Sequence, residues 1–141
     1  MIKIKIKKLH PDAIIPKFAN KSDAGMDFFS VEDLVILPNH RVLVKTGISM
    51  ELPKGYVALV YDKSGVAKDG LTKIGGVIDA GYRGEYIIML HNISSKPYKI
   101  EKGQKIAQIL IQPIIQPKIE VVEELSGSER GEGGFGSSGL R

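Results

Sequence analysis

One stretch of the sequence, residues 62–67 (DKSGVA), groups side chains that can hold an anion. Lys63 supplies a cation, Ser64 a hydroxyl, and Gly65 a backbone without a side chain. We expect a short helix to begin here, and helix N-termini present free N–H groups and partial positive charge to anions. The glycine spacing differs from that of a Walker phosphate loop. When the stretch is taken alone, an ordinary helix cap formed by Ser64 is the simpler interpretation.

A second stretch, residues 75–85 (GGVIDAGYRGE), places four glycines around Asp79, Tyr82 and Arg83. We expect a hairpin whose backbone N–H and C=O groups can meet a planar base, since glycine allows close approach. Asp79 has no charge partner nearby in the sequence, and a free carboxylate can act as a general base. A purely structural hairpin fits the pattern as well.

Two further stretches carry single polar groups in unusual places. Residues 23–27 (DAGMD) hold Asp23 and Asp27 on either side of small residues, which places carboxylates near a bend. Residues 103–108 (GQKIAQ) end in Gln108, which interrupts an apolar strand and needs hydrogen-bond partners if it is buried. An ordinary turn and an amide bonded to backbone are the alternatives.

The end of the chain, residues 126–141, is rich in glycine and serine but also holds Arg130, Phe135 and the pair Ser137–Ser138. Such a segment buries too little surface to offset its own ordering entropy. As a coil its sixteen residues span on the order of 20 Å, and several times that when extended. The segment can therefore reach across its own domain or onto a neighbouring molecule.

Composition excludes several classes of site and partner. The absence of cysteine rules out disulfides, thiolate metal sites and thiol catalysis, and His10, His40 and His91 have no metal-ligand spacing. The net charge of +4 is compatible with nucleic-acid binding, but the lysines are scattered and aromatic residues make up only 6%. We expect no nucleic-acid partner, no membrane span, no signal peptide and a cytoplasmic protein.

Short strands must position these groups. The sequence predicts strands at Ile2–Lys7, Asp33–Leu37, Arg41–Ser49, Tyr56–Tyr61, Tyr86–Asn92, Tyr98–Ile100, Lys105–Pro113 and Lys118–Glu123, separated by turn signals rich in proline, glycine and asparagine. No stretch of ten residues shows a helical apolar period, and only Gly65–Lys68 is expected to be helical. We predict one all-β domain, a sandwich or barrel, over residues 1–125, and a flexible arm over 126–141.

Taken together and in order, the stretches resemble the five motifs of the trimeric dUTPases, the deoxyuridine triphosphate nucleotidohydrolases. The segments that carry the resemblance read "DAGMDFFS", "DKSGVA", "GVIDAGYRGEY", "GQKIAQILI" and "RGEGGFGSSG". Each is weak alone, but five in the family's order over nearly the whole chain are specific.

The resemblance implies a jelly-roll or β-clip barrel, a homotrimer with active sites at subunit interfaces, and Mg²⁺-dependent hydrolysis of dUTP to dUMP and pyrophosphate. This activity would clear dUTP from the nucleotide pool and supply dUMP for dTMP synthesis. Asp79 would be the general base that activates water for attack at the α-phosphate. Asp27 would position water bound to Mg²⁺, which the substrate phosphates would mainly hold.

The resemblance also implies the residues that bind substrate. The backbone of Gly76, Val77 and Ile78 would read uracil, and Tyr82 would pack under the deoxyribose and leave no room for a ribose 2′-hydroxyl. Phosphates would be held by Lys63, Ser64, Gly65 and Gln108. The arm would close as a lid, with Phe135 over uracil and the outer phosphates held by Arg130, Gly136, Ser137 and Ser138.

Three positions depart from the family pattern. Lys63 stands where arginine is usual, which keeps the charge but loses the planar fork of donors. Ala80-Gly81 lacks the second acid often found beside the tyrosine. Glu132 stands where a hydroxyl or a small residue is commoner.

Two other functions share this resemblance. A dCTP deaminase of the same fold would need a glutamate where this chain has Met89, and usually has tryptophan in place of Tyr82. A non-catalytic, nucleotide-binding regulator would have no need of Asp79. A basic nucleic-acid-binding barrel is a third alternative, and it predicts salt-dependent association with DNA and no pyrophosphate release.

Overall fold

The computed structural model describes all 141 residues and is built almost entirely of short strands. They are β1 (Lys5–Lys8), β2 (Met26–Phe29), β3 (Leu34–Ile36), β4 (Arg41–Lys45), β5 (Ile48–Glu51), β6 (Tyr56–Tyr61), β7 (Leu71–Lys73), β8 (Val77–Asp79), β9 (Ile87–Asn92), β10 (Tyr98–Ile100) and β11 (Lys105–Pro113). A single helical turn, α1 (Ser64–Ala67), follows β6. No helix is long or apolar enough to span a membrane.

The strands form four antiparallel sheets rather than one closed barrel. A four-stranded sheet has the order β2-β11-β6-β8, and a three-stranded sheet has the order β4-β9-β7. The pairs β1-β5 and β3-β10 complete a jelly-roll-like arrangement. The predicted all-β class is confirmed.

The core lies between these sheets and is filled by alternate strand residues, as the period of two requires. Phe28, Ile88 and Ile109 are essentially inaccessible to solvent. The ring of Phe28 stacks on Tyr86 with 5.9 Å between ring centroids. This packing fixes β2, which carries Asp27, against the segment that carries Tyr86.

Three of the predicted strands differ substantially from the observed ones. The stretch Arg41–Ser49 is divided into β4 and β5, because Gly47 has a left-handed φ of 66° and Thr46 donates its hydroxyl hydrogen to the Tyr86 carbonyl. The first strand begins at Lys5 rather than Ile2. The strand predicted at Lys118–Glu123 is absent, since no strand of this chain lies beside it to complete its hydrogen bonds.

Three other predictions need correction. The strands β2 and β7 were not expected from sequence. Residues 75–85 do not form the expected hairpin, because β8 pairs with β6 and the chain then crosses to β9 in another sheet. The helix N-cap is Lys63 instead of Ser64, and no side chain caps the helix.

Asn92 is a buried polar side chain that joins β9 to its surroundings. Its Nδ2 donates to the Ile36 carbonyl at 2.9 Å and to the Lys96 carbonyl at 2.7 Å. Its Oδ1 accepts from the Ser94 N–H at 2.9 Å and from the Ser94 hydroxyl at 2.7 Å. Because Asn92 is fully buried, its own amide N–H and carbonyl groups need these partners.

We predict that Asn92→Leu lowers the free energy of unfolding by about 2–4 kcal/mol, since it removes four hydrogen bonds, including the buried one to the Ile36 carbonyl. Urea denaturation followed by circular dichroism measures the change. Ser95→Ala, at an exposed neighbour that makes no side-chain hydrogen bond, is the control and should change it by less than about 0.5 kcal/mol. Equal stability of Asn92→Leu and the control would contradict the role of this amide.

Candidate functional site

A buried carboxylate on β2 is held by two lysines. The side chain of Asp27 is 3% exposed, and its Oδ1 lies 2.5 Å from Lys63 Nζ while its Oδ2 lies 2.9 Å from Lys105 Nζ. Lys105 Nζ and Asp27 Oδ2 form an ion pair, but the angles between the two groups do not suit a hydrogen bond. We call Asp27, Lys63 and Lys105 the carboxylate–lysine cluster.

The two lysines determine the charge state of this carboxyl group. Burial by itself raises the pKa of Asp27, but the hydrogen bond from Lys63 and the positive charge of Lys105 outweigh burial and leave the pKa below its ordinary value. Asp27 is therefore ionised at neutral pH, and the cluster carries one negative and two positive charges.

Strand register brings the cluster to one end of the four-stranded sheet. Gln108 on β11 lies opposite Asp27 on one side and opposite Tyr61 on the other. Lys63 follows two residues after Tyr61, so its side chain can reach back to β2. An irregularity between Lys105 and Ala107 shifts the register at the start of β11.

The loop that carries Lys63, Ser64 and Gly65 is fixed from two sides. The Asp62 carboxylate accepts from the Lys73 N–H at 2.6 Å and from the Thr72 hydroxyl at 3.0 Å. Gln108 Nε2 donates to the Asp62 carbonyl at 2.9 Å. Ser64 and Gly65 stay exposed, and the first N–H groups of α1 have no acceptor within the helix.

Gly25 makes room for Gln108. A Cβ at residue 25 would lie 2.7 Å from Gln108 Oε1 and 3.0 Å from Gln108 Cβ. A larger residue would displace the amide that anchors the Asp62 carbonyl. This explains the small residue in the stretch at residues 23–27.

The cluster is not a preformed metal site, because its two lysines outnumber its one carboxylate, and a magnesium ion that arrives with phosphates fits it only through a metal-bound water. No group of three or more histidine, cysteine, aspartate or glutamate side chains could hold a metal ion. Asp27 Oδ2, however, is buried without a hydrogen-bond partner and can accept from a metal-bound water once Lys105 moves. Mg²⁺ prefers oxygen ligands and keeps several waters, so the donor set fits an outer-shell contact.

A cavity of about 200 Å³ lies at the other end of the sheet. We call it the β8 cavity, and it is lined by Val77, Ile78, Asp79, Tyr82, Glu85, Tyr86 and Ile87. The exposed Asp79 carboxylate makes no hydrogen bond or ion pair within the chain, so all its acceptor positions are free.

Two glycines near this cavity allow close contacts that a Cβ atom would block. Gly76, with φ 115°, lies against β6, where a Cβ would meet Val60 Cβ at 3.0 Å and the Val60 carbonyl oxygen at 3.2 Å. The Tyr82 ring folds over Gly84, where a Cβ would overlap the Tyr82 hydroxyl. That hydroxyl donates to the Glu85 carbonyl at 3.0 Å.

The loop after β8 is tied to β5 and the residues just before it. The Ser49 hydroxyl donates to the Arg83 carbonyl at 2.6 Å, and the Gly47 N–H donates to Glu85 Oε2 at 3.1 Å. The Tyr86 N–H donates to the Ile48 carbonyl at 2.7 Å. Tyr82 is therefore held in place before any ligand binds.

Within one chain, the β8 cavity and the carboxylate–lysine cluster are far apart. Asp79 lies opposite Val57 at one end of β6, whereas Gln108 lies opposite Tyr61 at the other. Four residue steps along a strand separate these points by about 13 Å, and β8 and β11 lie on opposite sides of β6. The predicted site residues thus form two groups.

The arm, residues 126–141, contacts neither group through a hydrogen bond. Its hydrogen bonds are internal, such as Arg130 Nε to the Gly133 carbonyl at 2.7 Å and the Ser137 N–H to the Gly134 carbonyl at 3.0 Å. Phe135 is fully exposed and has a left-handed φ of 50°. Arg130, Phe135 and Ser138 therefore lie outside both groups in this chain.

Sequence reasoning missed Lys105, Asp62 and Gly84. Lys105 lies inside the stretch at residues 103–108, but a lysine that begins a strand carries no sign of a partner on a distant strand. Asp62 opens the stretch at residues 62–67, where its carboxylate fixes the loop. Gly84 had a detectable signal, since it follows the tyrosine that packs on it.

Comparison with known proteins identifies the family. The family model for dUTPase matches residues 11–139. A deoxyuridine 5'-triphosphate nucleotidohydrolase of Clostridioides difficile is 52% identical over 143 residues, covering 99% of this chain and 100% of the relative. The chain belongs to the dUTPase family. A Clostridium tetani protein of the same name is 51% identical, with 96% of each chain covered.

Solved dUTPase structures have the same fold as this chain over most of its length. The dUTPase of Staphylococcus bacteriophage 80alpha with dUPNHPP has a TM-score of 0.93 and 36% identity, and covers 98% of this chain and 99% of its own. A point mutant of the dUTPase from phage phi11 of S. aureus has a TM-score of 0.83 and 30% identity, covering 89% of this chain and 99% of its own. That structure is described as showing the coordination of a structural Mg(II) ion.

Tyr86 is the one buried tyrosine of this dUTPase-family chain, and its hydroxyl has no hydrogen-bond partner. Burial raises the pKa of Tyr86 to about 12, an effect that the Arg83 charge opposes and Tyr82 adds to. The folded state thus holds the proton more tightly than the unfolded state does. The resulting stability is present below about pH 10 and is lost as the pH rises towards 12.

We predict that Tyr86→Phe raises the free energy of unfolding at pH 7 by about 1 kcal/mol, because it removes a buried hydroxyl without a partner. The variant should also lose stability less steeply than the wild type between about pH 10 and 12. Urea titrations at neutral pH and at two alkaline values within that range measure both effects. Parallel pH profiles for the two proteins would show that the hydroxyl does not titrate in this range.

Proposed function

We propose that this chain hydrolyses dUTP to dUMP and pyrophosphate. The observation that carries the proposal is the free Asp79 carboxylate beside Tyr82 in the β8 cavity of a dUTPase-family fold. The relatives with about half of their residues identical are named for this activity. We further propose that the activity clears dUTP from the nucleotide pool, supplies dUMP for dTMP synthesis and takes place in the cytoplasm.

Asp79 acts as the general base. Its carboxylate accepts a proton from water while the water oxygen bonds to the α-phosphorus. The bond from the α-phosphorus to the oxygen that bridges to the β-phosphorus breaks, and pyrophosphate leaves. An acceptor that makes no hydrogen bond within the chain suits this step, since nothing must be broken before water binds.

The edge strand β8 recognises the base. The backbone of Gly76, Val77 and Ile78 would pair with the polar edge of uracil. β8 pairs only with β6, and the Gly76 carbonyl already accepts from the Val60 N–H at 2.9 Å, so the groups on the unpaired side of β8, such as those of Val77, are the ones free for the base. A backbone that matches uracil leaves polar groups unpaired when cytosine enters, which disfavours dCTP by orders of magnitude. Tyr82, fixed over Gly84, packs under the deoxyribose.

Lys63, Ser64, Gly65 and Gln108 hold the phosphates. Lys63 supplies charge, and Ser64 and Gly65 offer N–H groups at the start of α1. Gln108 supports them by anchoring the Asp62 carbonyl. Mg²⁺, held mainly by the phosphates, would neutralise charge that develops on the phosphate oxygens. Asp27 would accept a hydrogen bond from one of its waters.

The arm closes over the bound nucleotide. Phe135 covers the uracil ring, and Arg130 with the backbone of Gly136, Ser137 and Ser138 grips the outer phosphates. Ordering a glycine-rich segment is costly, and charge-assisted hydrogen bonds to the triphosphate offset that cost. Closure excludes water and fixes the substrate for attack.

A homotrimer would assemble these parts. The carboxylate–lysine cluster, the β8 cavity and the arm lie apart in one chain, so a complete site needs groups from different subunits. The segment before the arm leaves a set of apolar side chains exposed, namely Ile114, Ile115, Ile119, Val121, Val122 and Leu125. Burial against a neighbouring subunit would remove this surface from water.

The first test is pyrophosphate release from dUTP, dCTP, dTTP and UTP with and without Mg²⁺. We expect release from dUTP, a strong dependence on Mg²⁺ and no ammonia from dCTP. Asp79→Asn should lower kcat by roughly 10²–10⁴-fold, since the amide cannot take the proton. Equilibrium binding of a non-hydrolysable dUTP analogue should change little.

Asp33→Asn, at an exposed carboxylate outside both groups, controls for the loss of one charge. It should keep wild-type kcat. Full turnover by Asp79→Asn would remove Asp79 from the role of base. Ammonia release from dCTP would instead support the deaminase alternative.

The shared site predicts complementation. Asp79→Asn and a chain that lacks residues 130–141 should each be nearly inactive, because one lacks the base and the other the lid. Mixing the two under conditions that exchange subunits should restore part of the dUTP hydrolysis, since some sites then combine an intact Asp79 with an intact arm. Activity that stays at the level of the unmixed variants would mean that each site is built from one chain.

A further inference from the structure

Lys105 has no role in the scheme above, although it contacts the same carboxylate as Lys63. We propose that Lys105 is a second phosphate-binding cation and that Asp27 is the positioning residue that holds both lysines ready for the triphosphate. The proposal rests on the proposed function, because it identifies a further binding residue of that site.

The position of Lys105 suits this role. It is the first residue of β11, where the register shift towards Ala107 separates it from the regular ladder. Its side chain is 44% exposed, and its Nζ lies 2.9 Å from Asp27 Oδ2. A long, half-exposed side chain can turn from this carboxylate to an arriving phosphate by rotation about its own bonds.

The charge of the cluster favours an anionic ligand. Asp27 contributes −1 and the two lysines contribute +2, which leaves a net charge of +1. Two ammonium groups that touch one carboxylate lie within a few Å of each other, an arrangement that repulsion would disrupt without Asp27. The exposed Ser64 and Gly65 adjoin Lys63, so phosphates bound there come within reach of both cations.

Stability alone does not account for this arrangement. Burying a carboxylate and pairing it with lysines gains little, because desolvation offsets much of the attraction. An apolar residue on β2 would bury the same surface without that penalty. A pair of cations held at the mouth of a phosphate site explains why a charged group is kept there.

The binding test compares a triphosphate with a ligand that has no phosphate. Titration calorimetry with dUpNHpp, the analogue bound in a phage 80alpha dUTPase structure, gives the triphosphate affinity. Inhibition by deoxyuridine gives the affinity for base and sugar. Lys105→Gln should weaken dUpNHpp about tenfold and deoxyuridine less than twofold, and Lys105→Arg should restore most of the loss.

Lys99→Gln is the matched control, because Lys99 is exposed on β10 and pairs only with the exposed Glu101. It should bind both ligands as the wild type does. Wild-type dUpNHpp affinity in Lys105→Gln would overturn the proposal. An equal loss for dUpNHpp and deoxyuridine would also overturn it, since that pattern means a structural role.

The role of Asp27 is tested without Mg²⁺, so that no metal-bound water contributes. In EDTA, Asp27→Asn should weaken dUpNHpp several-fold in the wild-type background. It should change affinity less than twofold in the Lys63→Gln/Lys105→Gln background, where no lysine remains to position. Equal effects in both backgrounds would overturn the positioning role. Failure of the proposed function is seen separately, as an absence of pyrophosphate release from dUTP by the wild type.

Discussion

A buried carboxylate stays ionised only when cations or hydrogen-bond donors offset its desolvation, and two lysines do so for Asp27. The requirement ties three separate parts of the chain together. Asp27 sits on β2, Lys105 begins β11, and Lys63 follows β6. The antiparallel register of β2, β11 and β6 is what brings them to the same end of one sheet. The loop at Asp62 uses the same alignment, since Gln108 on β11 donates to the Asp62 carbonyl.

The same sheet separates the groups that the proposed reaction requires together. Lys63 follows one end of β6, at Tyr61, whereas Asp79 on β8 lies opposite Val57 near the other end of β6. A rigid sheet cannot bring these ends into contact, because strand spacing is fixed by backbone geometry. The arm adds a third part that packs on neither. In the proposed homotrimer, association of subunits would resolve this conflict: it would join separated groups without distorting any strand, and it would bury the apolar surface left exposed around Ile119.

Glycine and edge geometry shape the β8 cavity within a single chain. Tyr82 is fixed because Gly84 lets its ring fold back and because Ser49 holds the loop. β8 keeps one side of its backbone unpaired because it lies at the edge of the sheet. Under the proposed function these polar groups would meet the base without reorganisation, which is the condition for discriminating between bases that differ in donors and acceptors.

The sequence by itself determined the all-β class, strands such as Tyr56–Tyr61 and Lys105–Pro113, and the family, because local alternation and short motifs are readable along the chain. It failed where an element depends on a distant partner. Residues 118–123 have strand composition but lack a neighbouring strand, and the expected hairpin at residues 75–85 was broken by pairing with β6. The contact of Lys105 with Asp27 was equally invisible. Only tertiary structure decided it, because an ion pair depends on where strands meet, and register is a property of the sheet rather than of either segment.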